Sequence, residues 1–223
     1  TRTYTHIFDG LAKIHAFDIG NGQVSFKSKF LRSRWYRKMV SDRGLMPPSI
    51  TTGPVEPEFS AFEKIWAAVT SASLFDNVPV NVHQLGGSEG PIVATTDAPV
   101  MLEFDATSLR TVGRRKYQNS ITSMNGIELF STAHPLNRGD ASYNYFFELK
   151  IGGRSKVHLA RTNANGERTI IGSYKMPKGS LVPYVHSFSL TTKHAVVTLW
   201  PIYMNPAASV ECKGFMQQLQ WKG

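Results

Sequence analysis

Apolar and polar residues alternate with a period of two along much of the chain. Val24-Ser25-Phe26-Lys27-Ser28-Lys29-Phe30 is the clearest case, and such alternation predicts a strand with one face buried. Asn21-Gly22 precedes it, a pair that favours a type I′ turn, so residues 15–19 are the expected other arm of a hairpin. Residues 100–104 and 143–149 read as further strands. Residues 157–161 and 169–174 flank Asn163-Ala164-Asn165-Gly166 and predict a second hairpin. Residues 195–199 predict a buried strand ended by Pro201. Short strands at regular spacing, with Gly and Asn at the turns, predict an all-β fold: a sandwich, a barrel or a propeller.

Residues 32–80 break this pattern. They hold Pro47, Pro48, Pro54, Pro57 and Pro79 and show little alternation. Within them Phe59, Phe62, Ile65, Trp66 and Val69 recur at three- and four-residue steps, which predicts one short amphipathic helix over residues 59–72. Two uses of that helix stay open. It packs over the end of a sheet, or it is a membrane-facing insertion that presents Phe62, Trp66 and Phe75. The second use fits the seven Lys and Arg residues between Lys27 and Arg43, and the interfacial side chains Trp35, Tyr36 and Trp66.

Composition narrows the classes. The 223 residues are 41% hydrophobic and 18% charged, enough for one globular domain with a sizeable core or two small ones. A formal charge of +9 favours an acidic partner, nucleic acid or an anionic membrane surface. The single cysteine, Cys212, excludes an intramolecular disulfide and a cysteine-built zinc site. No apolar run approaches the roughly 20 residues of a membrane-spanning helix, and the opening TRTYTHIFDG has no apolar signal core. HExxH, GxGxxG and the phosphate-binding GxxxxGK[ST] loop are all missing.

The seven histidines carry the chemistry that remains. His134 stands in Ser131-Thr132-Ala133-His134-Pro135, where the proline biases it towards extended backbone at a strand end. His186 stands in Pro183-Tyr184-Val185-His186-Ser187-Phe188, between a turn and a strand. Imidazoles on two strand ends of a β structure can converge, and imidazole suits iron, copper, nickel and zinc.

The order of motifs resembles the carotenoid cleavage oxygenases. The opening Phe8-Asp9-Gly10-Leu11-Ala12 and Ser28-Lys29-Phe30-Leu31 resemble the animal-type branch, that of the β-carotene oxygenases and the retinoid isomerohydrolase. Asn81-Val82-His83, Ala94-Thr95-Thr96-Asp97, Phe104-Asp105 and the two histidine motifs then follow in the family's order. The resemblance implies a seven-bladed β-propeller capped by loops and helices, with Fe(II) on its axis held by four histidines. His134 and His186 match the first two. It implies a ring of carboxylates that orient the ligand imidazoles, the first of them Asp97 where the family has Glu. One ion bound by both imidazoles at about 2.1 Å would set their Nε2 atoms roughly 3 to 4 Å apart. The activity implied is oxidative cleavage of a conjugated double bond in a carotenoid or apocarotenoid by O2. In the isomerohydrolase subclass the same iron ionises a retinyl ester instead. The implied setting is cytoplasmic, with peripheral membrane contact and no nucleic acid.

Seven blades of about 40 to 50 residues need roughly 300 residues, so residues 1–223 are expected to form a single incomplete propeller domain, with residues 32–80 inserted in it and half of the metal site present. His158 and His194 do not match the family's remaining ligands; they read as a sheet-surface position and a turn. Phe146, Phe147 and Phe188 are candidates for lining an apolar substrate tunnel. A second reading is a non-catalytic basic propeller or sandwich that binds an anionic partner through Lys27 to Arg43 and through Arg114-Arg115-Lys116.

Overall fold

The computed structural model describes residues 3–41, 52–53, 55–60, 62–63, 76–118, 126–150, 153–205 and 215–222. These residues form mostly antiparallel sheets laid out in chain order. The first hairpin pairs Lys13–Gly20 with Gln23–Phe30. Its turn is the expected Asn21-Gly22, with φ of 52° and 72°, the left-handed pair that a type I′ turn requires. A four-stranded meander follows: Asn81–Gln84, Ile92–Thr95, Met101–Phe104 and Thr111–Arg115. Next comes a five-stranded sheet of Gly126–Ser131, Leu136–Arg138, Ala141–Lys150, Lys156–Thr162 and Arg168–Lys175. Val182–Pro183, Ile202–Met204 and Leu219–Trp221 make a three-stranded sheet.

Strand alternation decides what each sheet touches. In the meander, Ala94, Leu102 and Phe104 face one way and bury against Ala12, Leu31 and Val78 beneath the first hairpin. Val93 and Met101 face the other way and bury with Leu85 and Tyr117. The five-stranded sheet divides likewise. Tyr145, Phe147 and Val157 pack with Val182, Val185, Phe188 and Met204 of the following segment. Its opposite face buries polar groups: Arg168 forms two hydrogen bonds to Glu128, at 2.7 and 2.6 Å. The Arg168 guanidinium also lies over the rings of Tyr117 and Phe146, at 4.7 and 4.1 Å. The Tyr117 ring thereby ties the meander's end to the next sheet. Gly86 marks a second close approach between the two sheets. Its φ is +74°, and a Cβ there would lie 2.0 Å from the backbone nitrogen of Ala164, which no other residue tolerates.

The FDG segment has a local explanation. Asp9 is buried and accepts hydrogen bonds from the amides of Thr52 and Gly53. Asn77 accepts from the Ala12 amide and donates to the Gly10 carbonyl, so the segment's irregular backbone is satisfied. Buried Asp76 accepts from the amides of Arg34 and Trp35, and Ser33 Oγ from that of Tyr36. These three bonds cap the helix Arg34–Ser41.

One expectation is corrected. Residues 195–199 are not a buried strand: only Ala195–Val196 pairs, with Ser189–Leu190. Val196 and Leu199 are exposed, while Ala195 and Val197 pack on the core. The apolar run alternates between core and solvent because it has a sheet on one side only. Phe146, Phe147 and Phe188, candidates for a tunnel lining, are buried among the described residues at 0%, 1% and 8% exposure, the commoner core role of such side chains. Of the helix expected at 59–72, the described residues show its beginning. Ser60 Oγ and Glu63 exchange hydrogen bonds in a capping box, with Ser60 N donating to Glu63 Oε2 and Glu63 N donating to Ser60 Oγ. Phe62 is 75% exposed. Ile65, Trp66, Val69 and Phe75 lie outside the described residues. Among the described residues no helix is long and apolar enough to cross a membrane.

Candidate metal centre

The site forms where the meander, the five-stranded sheet and the segment after it meet. Strand Gly126–Ser131 ends beside Asp97, with the Ser131 amide donating to the Asp97 carbonyl. The chain then passes through Thr132-Ala133-His134-Pro135. The Ala133 amide donates to Asp97 Oδ1 at 3.0 Å. The Ala133 carbonyl accepts from Asn81 Nδ2 at 3.0 Å and Thr95 Oγ1 at 2.9 Å. Ala133 is thus paired at both its amide and its carbonyl, and the stretch is held against the end of the meander. The second motif arrives from strand Val182–Pro183, with Tyr184 N bonded to the Ile202 carbonyl. The Thr132 hydroxyl joins the two motifs, donating to the His186 carbonyl and accepting from the His134 amide.

This scaffold brings the two imidazoles together. His134 Nε2 lies 2.9 Å from His186 Nε2, with ring centroids 4.5 Å apart and planes at 71°. His186 Nδ1 lies 2.9 Å from Asp97 Oδ2. Asp97 is one methylene shorter than glutamate, yet both its oxygens are engaged. Oδ2 also accepts from the Tyr184 hydroxyl at 2.7 Å. Burial first, and then the Asp97 carboxylate, push the Tyr184 phenol well above its usual range, so it remains a donor. Tyr184 is braced edge-on by Phe215, 5.6 Å between centroids.

Protons follow from these partners. A carboxylate can only accept, so the His186 Nδ1 that faces Asp97 Oδ2 carries a proton, and Nε2 is the ring nitrogen turned towards His134. Burial, and next the neighbouring His186, lower the His134 pKa against a smaller opposite effect of Asp97. The two Nε2 atoms thus face one point, a donor set that suits a divalent transition metal. Among the described residues no group of three or more His, Cys, Asp or Glu side chains converges anywhere, so these two imidazoles are the ligands this arrangement offers. The His186 side chain is 47% exposed, and the point they share opens to one side.

The other histidines lie elsewhere. His158, expected on a sheet surface, is 3% exposed. It bridges Glu148 and Ser173 at 2.8 and 2.7 Å and stacks on Phe146. Its strand lies between two others in the five-stranded sheet, whose side chains Glu148, Phe146 and Ser173 surround the ring. His194 sits in the turn before Ala195, where the Thr191 amide bonds its carbonyl. His83 is half-buried without a partner for either ring nitrogen, and burial lowers its pKa to about 4. Sequence reasoning assigned no role to Thr132, Tyr184, Asn81 or Thr95. Thr132 and Tyr184 each stand two residues before a site histidine, the spacing that puts two side chains on one side of an extended chain. That spacing was the available signal.

Comparison with known proteins places the chain in a family and a fold. The family model described as retinal pigment epithelial membrane protein (RPE65) matches residues 1–223. The carotenoid isomerooxygenase of Galleria mellonella is 27% identical over 209 residues, 89% of this chain and 39% of that protein. The mitochondrial carotenoid-cleaving dioxygenase of Homo sapiens is 24% identical over 233 residues, 98% of this chain and 39% of that protein. Among solved structures, a glutamate-to-aspartate variant of Synechocystis apocarotenoid oxygenase superposes with a TM-score of 0.72 at 19% identity. It matches 99% of this chain and 44% of its own. The cobalt-substituted form of that oxygenase gives 0.68 at 19% identity, over 97% and 44%. The chain spans about two-fifths of the length of the curated relatives it matches.

Proposed function

The chain belongs to the carotenoid oxygenase family, and on that premise we propose that it serves iron-dependent oxidative cleavage of a conjugated double bond in a carotenoid or apocarotenoid. In this reading His134 and His186 are two of the metal's ligands, and residues 1–223 are one incomplete part of a seven-bladed propeller domain, with residues 32–80 inserted in it. The observation that carries it is the pair of imidazole nitrogens 2.9 Å apart, one ring oriented by a carboxylate on its far side. A related oxygenase whose cobalt-substituted form is known supports a divalent metal at such a site.

Iron(II), when bound, supplies the electrons that activate O2 so that one carbon–carbon double bond becomes two carbonyl groups. The chain's own part is to hold and orient. Asp97 accepts from His186 Nδ1 and so orients the ring with Nε2 towards the shared point. Tyr184 holds the Asp97 carboxylate in line by donating to the same oxygen. Thr132 fixes the spacing of the two histidine backbones. The substrate dissolves in bilayers and barely in water, so it is drawn from lipid. Phe62, together with Trp66 and Phe75, makes peripheral membrane contact at the cytoplasmic face in this reading.

Two imidazoles alone hold iron(II) weakly, since it stands low in the order of divalent affinities. Anaerobic equilibrium dialysis of the 223-residue chain should show weak iron(II) binding that His134→Ala and His186→Ala each abolish. Binding unchanged by both substitutions overturns the ligand assignment. Cleavage of β-carotene or an apocarotenal by the 223 residues alone contradicts the half-site part of the reading.

A further inference from the structure

A second concave site lies apart from the histidine pair and shares no residue with it. The end of strand Gln23–Phe30, the helix Arg34–Ser41 and residues 109–111, which lead into strand Thr111–Arg115, line a solvent-open hollow of about 400 Å3. Four of its lining residues are cations: Lys29, Arg32, Arg37 and Arg110. Phe30 and Leu109 supply its apolar surface.

The walls are held from several directions. Lys27 Nζ donates to the Thr107 carbonyl and Lys29 Nζ to the Ser108 carbonyl, at 2.9 and 2.8 Å, which stitch the hairpin to the turn. The Arg32 amide donates to Thr111 Oγ1 at 2.8 Å. Leu109, 2% exposed, has φ of +55°, a left-handed conformation that a bulky residue adopts only under constraint. Its amide bond to the Asp105 carbonyl, at 2.8 Å, is part of that constraint.

The charges lack counter-charges. Among the described residues no carboxylate forms an ion pair with Arg32, Arg37 or Arg110. The acid that acts on Arg110 is Asp105, whose Oδ1 already accepts from the Ser108 amide. Three guanidinium groups and an ammonium gathered around one hollow repel each other, and an anion of high charge density relieves that repulsion. Guanidinium forks match phosphate oxygens two at a time. The apolar surface of Phe30 and Leu109 suits an organic group attached to the phosphate.

We propose that this cavity binds the phosphate group of an organic phosphate. The same chemistry is offered by a soluble phosphate ester and by an anionic phospholipid headgroup. This inference stands independently of the iron reading, so a His134→Ala, His186→Ala variant keeps it intact.

The test is calorimetric titration of the protein with glycerol 3-phosphate, alongside co-sedimentation with phosphatidylcholine vesicles that contain or lack phosphatidate. The comparison variant is R32Q/R37Q/R110Q. K178Q/K193Q/K222Q, which removes the same charge from exposed positions elsewhere, is the control. Saturable single-site binding of glycerol 3-phosphate, weakened about tenfold for each arginine removed and unchanged in the control, supports a soluble ester. Binding confined to phosphatidate vesicles, with the same dependence on the three arginines, supports a headgroup. Equal loss in both variants shows attraction by net charge alone and overturns the site, as does binding to neither ligand. All six positions are exposed, and a circular dichroism spectrum confirms that each variant keeps its fold.

Discussion

At the scale of single residues, Asp97 decides which nitrogen of His186 is free, and Tyr184 decides how firmly Asp97 does so. Asp97→Asn keeps the size but lets an amide face His186 Nδ1, so the ring is no longer locked in one tautomer. Metal affinity should fall by roughly 10- to 100-fold, read by cobalt(II) titration, with little change in unfolding midpoint. Tyr184→Phe removes one donor from Asp97 Oδ2 and should cost about 1 kcal/mol of stability and a smaller share of affinity. His83 sets a separate pH dependence. Its folded pKa, about 4, lies below the unfolded value near 6.5, so the unfolded chain takes up a proton that the native one refuses. That contribution is complete above the unfolded value and is lost as pH falls from about 6.5 to about 4, by up to about 3 kcal/mol. Urea unfolding at a series of pH values should show the slope, and His83→Leu should flatten it.

At the scale of elements, two features stand out at the joint between the meander and the five-stranded sheet: the buried cation under Tyr117 and the close approach at Gly86. The Arg168–Glu128 pair is almost wholly buried, with side-chain exposures of 1% and 9%. Glu128→Gln leaves the guanidinium charge without its counter-charge between Tyr117 and Phe146. It should destabilise by about 3 kcal/mol. Gly86→Ala drives a methyl group into the Ala164 backbone and should cost more than about 2 kcal/mol; denaturant midpoints measure both. The strands themselves were legible because one-face burial leaves an alternating trace, as in residues 24–30 and 157–161. The Asn21-Gly22 turn was legible from its two residues alone. Residues 195–199 misled because a short apolar run reads the same whether it is covered on one side or two. His158 misled because its burial comes from Glu148, Ser173 and Phe146, which lie 10 to 15 positions away and leave no local pattern. Arg168 with Glu128 was invisible for the same reason, being a pairing across 40 positions.

At the scale of the whole molecule, sheets succeed one another along the chain and the histidine pair lies where three segments meet. His134 and His186 are 52 positions apart, and Asp97 is 89 from His186. Their convergence was expected from the order of motifs, because spacing alone carries no such information. The Thr132 and Tyr184 contacts needed coordinates. The central claim is that these two imidazoles share a divalent metal ion. Long-range proton–nitrogen NMR of the seven histidine rings, recorded while paramagnetic cobalt(II) is added, tests it most directly and works even for weak binding. The account predicts that the His134 and His186 ring signals broaden first and together, at cobalt concentrations that leave His83 and His158 sharp. Broadening that begins at exposed His15 or His194, or that spreads evenly over all seven, would contradict it.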